Sequence, residues 1–107
     1  MNKEVARKLN LKAGEIAEKF SNTDREYNHS NERFEVHEII PGSEKTAYVI
    51  FKKEPSKKFG MAFLYYLKGP EDGYWQYFFP TESHIYGMWK LDDVLQRVEE
   101  HNFPKNF

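Results

Sequence analysis

Two runs decide the fold: Thr46-Ala47-Tyr48-Val49-Ile50-Phe51-Lys52-Lys53 and Phe59-Gly60-Met61-Ala62-Phe63-Leu64-Tyr65-Tyr66-Leu67-Lys68. Both are dense in β-branched and aromatic residues, and Glu54-Pro55-Ser56 breaks the chain between them, so they read as strands joined by a turn. So short a connection suits antiparallel neighbours, because a parallel pair needs a long crossover. Period-two alternation sets Ala47, Val49 and Phe51 against Thr46, Tyr48, Ile50 and Lys52. In the second run Met61, Phe63, Tyr65 and Leu67 oppose Ala62, Leu64, Tyr66 and Lys68. Neither strand has a wholly polar face.

Outward from this pair, Arg33–Ile40 forms a strand that Pro41-Gly42-Ser43 should end. Phe34, Val36 and Ile40 alternate with Arg33, Glu35 and His37, while Glu38 and Ile39 break the pattern. On the other side, Gly69-Pro70-Glu71-Asp72-Gly73 leads into Tyr74–Phe79, where Trp75, Tyr77 and Phe79 oppose Tyr74, Gln76 and Phe78. A four-stranded antiparallel meander over about residues 33–79 is expected.

Helices bracket the meander. Val5, Leu9, Ala13, Ile16, Ala17 and Phe20 fall at helical spacing, which predicts an amphipathic helix over about 3–20. Leu11 lies off that stripe, and Gly14 weakens its middle by up to ~1 kcal/mol. Leu91, Val94, Leu95 and Val98 predict a second helix over about 90–102, with Asp92 and Asp93 in the first turn, where the dipole favours them. Residues 21–31 and 80–89 read as loops. The fold class is therefore α+β, in the order α-β-β-β-β-α, with both helices expected on one face of the sheet.

The chain has 107 residues, 18 of them aromatic (nine Phe, seven Tyr, two Trp), no cysteine and a net charge of −1. This length predicts one domain, residues 1–107, large enough to bury a core without staples. Zero cysteine excludes disulfides, thiol catalysis and Cys-ligated metals. No apolar run approaches the ~18 residues of a membrane span, and the charged start does not read as a signal peptide. No membrane and a cytoplasmic location are the expectation.

The small net charge hides a polarity. Residues 20–44 carry six acids and two bases, whereas residues 45–58 carry five lysines and one acid. Such a surface can steer a charged partner. The plainer reading is that adjacent hairpin arms compensate one another, since ladders favour opposite charges across the pair.

With helices on one face, the other presents aromatic rows. Tyr48, Lys52, Tyr66, Lys68, Trp75 and Tyr77 are the candidate binding residues, with Lys53, Lys57 and Lys58 extending a basic edge. Aromatic platforms stack bases while lysines follow phosphates, so single-stranded nucleic acid is the first candidate ligand. The overall acidity (pI near 6.4) argues against it. A homodimer or another protein-interaction surface is the alternative; helices covering one face each would leave nothing exposed.

Catalytic patterns are sparse. Glu35 and His37 share a strand face without a third ligand at a recognisable spacing, so no metal and no cofactor are expected. His29 falls in the polar loop, and His101 at a helix C-terminus suits the dipole. Within Phe79-Pro80-Thr81-Glu82-Ser83-His84, Ser83 and His84 are the candidates for a small enzyme. They lack a nucleophile-elbow motif, and a helix-capping role for Thr81 or Ser83 is the simpler assignment. Phosphate-loop and dinucleotide motifs are absent. The functional expectation is a small non-enzymatic binding or regulatory domain.

Overall fold

The structure is a computed structural model and describes residues 1–22, 32–69, 71–78 and 89–101, with only the backbone of His101. Its elements are α1 (Lys3–Ser21), β1 (Arg33–Ser43), β2 (Thr46–Glu54), β3 (Phe59–Leu67), β4 (Tyr74–Phe78) and α2 (Leu91–His101). The α+β order read from the sequence is the one observed, as one open antiparallel sheet in the order β1-β2-β3-β4.

Helix α1 starts where Asn2 Oδ1 accepts the Glu4 N–H at 2.7 Å, satisfying one of the orphan donors of the first turn. At its other end Ser21 Oγ accepts the Phe34 N–H at 2.8 Å, tying the helix to β1. The predicted stripe of Val5, Leu9, Ala13, Ile16, Ala17 and Phe20 is buried in full.

β1 runs through Pro41-Gly42-Ser43 instead of ending at Ile40. Proline is tolerated because β1 is an edge strand, and the reversal is made by Glu44-Lys45. The ladder shifts between Val36 and Glu38, a bulge at His37 that accounts for the broken alternation at Glu38 and Ile39. Arg33 stands opposite Glu54, and Glu35 opposite Lys52, whose Nζ is also 3.5 Å from Glu54. The acidic and basic segments are thus two arms of one hairpin.

The helices lie on opposite faces, which corrects the expectation that they share one. α1 packs on Phe34, Ala47, Val49, Phe51, Ala62, Leu64, Tyr66 and Trp75. Val94, Leu91, Leu95 and Val98 of α2 join Tyr48, Ile50, Met61 and Phe63 on the other side. The reason is visible in the two central strands: both parities of β2 and β3 are apolar, so each face must be taken from water. A backbone bridge sets the start of α2 on its face. Phe59 donates to the Trp89 carbonyl at 2.8 Å and accepts the Trp89 N–H at 3.3 Å.

Candidate interaction surface

Burial on two faces redistributes the six candidate residues. Tyr48, Tyr66 and Trp75 are only 8, 4 and 2% exposed. Tyr66 and Trp75 pack against each other under α1, with ring centroids 5.3 Å apart. Tyr77, on the same face, is half-buried, with its hydroxyl 3.0 Å from Lys19 Nζ and its ring 5.6 Å from Lys12 Nζ. Tyr48 lies on the opposite face beside Phe63, and Lys52 shares that face near Glu54. Lys68 is exposed after β3, in the left-handed region at φ 73°, with Nζ 5.8 Å from the Tyr74 ring. The structure brings Tyr66, Trp75 and Tyr77 together but leaves the six without a common platform.

Lys53 also departs from the basic edge expected of it. It is 1% exposed, with its ammonium 5.8 Å from the Phe34 ring. Burial lowers its pKa from 10.5 to about 8, and the nearby Glu32 carboxylate opposes that shift. Glu32 is itself buried and accepts the Ser56 N–H at 3.2 Å.

Among the described residues the exposed aromatics are Tyr74 and Phe78, 45 and 51% exposed on the outer strand β4. Strand parity separates this row from Trp75 and Tyr77. What the sequence lacked was which row a helix would cover.

The two edge strands differ in how they are protected. β1 carries Arg33, Glu35, His37 and Glu38, a bulge and Pro41, features that discourage pairing with another chain. β4 reads Tyr74-Trp75-Gln76-Tyr77-Phe78, with no charge, no proline and a continuous register to β3. Its backbone polarity follows from two contacts: Tyr66 donates to the Lys45 carbonyl, on the β2 side, while Phe59 bonds Trp89, away from β2. Odd-numbered residues of β3 therefore point towards β4, and Tyr65 exchanges bonds with Gln76. Trp75 consequently directs its N–H and C=O outward, where no described residue pairs with them.

An open groove of about 300 Å³ runs along this edge, between Lys8, Leu11, Lys12 and Glu15 of α1 and residues 73–76. Leu11, the leucine off the buried stripe, is 56% exposed here. Lys8 spans the end of the groove, donating to the carbonyls of Glu71 at 2.9 Å and Gly73 at 3.0 Å. A larger cavity of about 620 Å³ lies between the C-terminal half of α1 and Glu32–Phe34; its described lining pairs no nucleophile with a base.

Among the described residues the remaining chemistry gathers into no centre. His37 packs edge-on against Phe59 at 5.1 Å. Among the described residues, no three His, Asp or Glu side chains are placed to hold a metal ion, and no helix is long and apolar enough to cross a membrane. Ser83, His84, Thr81 and His29, with the side chain of His101, lie outside the described residues. The Trp89 indole N–H is buried with no hydrogen-bond partner among the described residues. No family model, curated protein or solved structure matches this chain.

Proposed function

We propose that the chain is a non-enzymatic protein-interaction domain that binds an extended segment of a partner by adding it to the sheet at β4. One observation carries this reading: of the two edge strands, β4 alone lacks a charge, a proline or a bulge to repel a neighbouring strand. Strand addition draws affinity from main-chain hydrogen bonds and specificity from alternate side chains. Trp75 supplies the outward backbone pair, and the Leu11 groove and the Tyr74–Phe78 row flank it on the two faces.

Single-stranded nucleic acid is the second reading, favoured by the exposed pair Tyr74 and Phe78 with Lys68 beside Tyr74. Tyr48, Tyr66 and Trp75, buried by the helices, offer it no stacking face.

Selection of random peptides displayed against the full chain separates the two. The expected winners are extended segments that bind about tenfold or more weakly to Gln76→Lys and Tyr74→Lys. They bind normally to Glu38→Lys on the β1 edge and slow exchange of the Trp75 amide. Winners indifferent to both β4 substitutions overturn the strand-addition reading. Oligonucleotide binding that falls steeply with salt and on Tyr74→Ala and Lys68→Ala would replace it with the second.

A further inference from the structure

We infer that the segment received at β4 is acidic, carrying Asp or Glu at the alternate positions that face α1. This rests on the strand-addition reading and adds the charge of the partner. Pleating sends every second side chain of an added strand to the face of Trp75 and Tyr77, which is the face that α1 covers. The helix lines that side of the seam with lysines. Lys8 and Lys12 line the groove beside residues 73–76, and Lys19 Nζ lies 3.0 Å from the Tyr77 hydroxyl. The intervening side chains of the segment fall beside Tyr74 and Phe78, whose exposed rings suit apolar neighbours.

What these lysines meet sets them apart from the bases at the other edge of the sheet. At β1, Arg33 stands opposite Glu54 and Glu35 opposite Lys52, so acid and base cancel across the ladder. At β4 the ammonium of Lys8 rests on neutral acceptors. It reaches the Tyr66 hydroxyl and the Glu71 and Gly73 carbonyls, and is in no salt bridge among the described residues. Lys12 Nζ lies 5.6 Å from the Tyr77 ring and 3.9 Å from Glu15, the one acid in the described lining of the groove. Its side chain is 28% exposed against 69% for Glu15, so the base sits deeper than the acid. Glu4, Glu71 and Asp72 gather instead in a separate cavity with Asn2, and Glu4 is paired with Arg7. The groove therefore holds a positive charge that its described residues leave unbalanced, in a chain whose total is −1. Because the lysines stand on α1, they leave the β4 backbone open while repelling basic segments.

Calorimetric titration of the full chain with capped peptides that alternate Val with Glu, Gln or Lys tests this, and exchange of the Trp75 amide locates the complex. The Glu peptide should bind about tenfold tighter than the Gln peptide, with the Lys peptide weakest, and added salt should narrow the gap. Lys12→Gln should cut the Glu-over-Gln ratio by about threefold, and Glu15→Gln should raise it by about as much, each with helix content unchanged by circular dichroism. Opposite signs from two neighbours on one helix cannot come from unfolding. Three peptides that bind alike and slow the Trp75 amide leave strand addition standing and overturn the acidic partner. No binding of the Glu peptide up to millimolar concentration overturns it too, while the peptide selection decides strand addition separately. Binding that leaves the Trp75 amide unprotected overturns both. A thymidine oligonucleotide that displaces the Glu peptide and loses affinity with Lys12→Gln assigns the lysines to nucleic acid instead.

Discussion

The indole N–H of Trp75 donates to the main-chain carbonyl of Val5 at 2.9 Å, joining positions 70 residues apart in sequence. The bond is buried and anchors the first turns of α1 to the outer strand. It also explains why Trp75 faces inward while its strand neighbour Tyr74 does not. Trp75→Phe keeps most of the ring and removes the donor. It should destabilise the fold by about 1–2 kcal/mol in denaturant titration, with faster amide exchange near Val5 and Leu9. An unchanged midpoint would mean that packing alone holds the helix.

Gly14 and Gly73 should respond to alanine with opposite signs. At Gly14, on the exposed side of α1, a Cβ meets nothing within 4 Å. Helix propensity then dominates, and Gly14→Ala should stabilise by about 0.5–1 kcal/mol. At Gly73 a Cβ would lie 2.5 Å from the carbonyl oxygens of Leu67 and Gly69 and collide with the Tyr66 ring. Backbone has to move, so Gly73→Ala should destabilise by roughly 2 kcal/mol or more. Thermal melts of the pair decide it; shifts of one sign would contradict the close approach at Gly73.

Lys53 should make stability depend on alkaline pH. Its folded pKa of about 8 lies below the ordinary 10.5, so between those values the unfolded chain binds the extra proton. Stability therefore rises as pH increases through this window, and near pH 7 the fold carries the cost of a buried ammonium. Lys53→Met should raise the denaturation midpoint at pH 7 and flatten the rise between pH 8 and 10.5. Parallel pH profiles for the two proteins would show that Lys53 is not the source.

Lys8 holds the entry to β4 through the carbonyls of Glu71 and Gly73. Lys8→Met preserves the aliphatic stem and removes the donors. A loss of about 1–2 kcal/mol is expected, since bonds to a charged group exceed neutral ones. Amide exchange should quicken selectively at residues 71–74. Uniform acceleration across the sheet would point instead to global destabilisation.

Much of the architecture was legible because hydrophobic period is a local property. Spacing located the α1 stripe residue by residue, and alternation sorted Thr46–Lys52 of β2 and Met61–Leu67 of β3 into the two rows that the structure shows. The bulge at His37 left its trace as a broken pattern at Glu38 and Ile39. β1 ran past Ile40 because proline on an edge strand forfeits no ladder bond, something a turn signal cannot reveal.

The interaction surface was less legible. Parity placed Tyr74 and Phe78 in one row and Trp75 and Tyr77 in the other, yet nothing local to β4 says which row meets a helix. Leu11 was visible as a residue off the stripe, though not as a neighbour of β4. Lys53 sits among lysines in the sequence and reads as surface; only the pairing of Phe34 opposite it, with Glu32 close by, encloses it.

The sequence by itself determined the elements, their order and the surplus of apolar residues on both faces of the central strands, because these follow from periodicity, turn chemistry and composition. The tertiary structure alone decided that α1 and α2 take one face each, that β4 is an edge strand without a charge, a proline or a bulge, and which of the described aromatics stay in water. Those outcomes depend on contacts such as Trp75 with Val5 and Trp89 with Phe59. Such contacts join residues far apart in the chain, so no local window contains them.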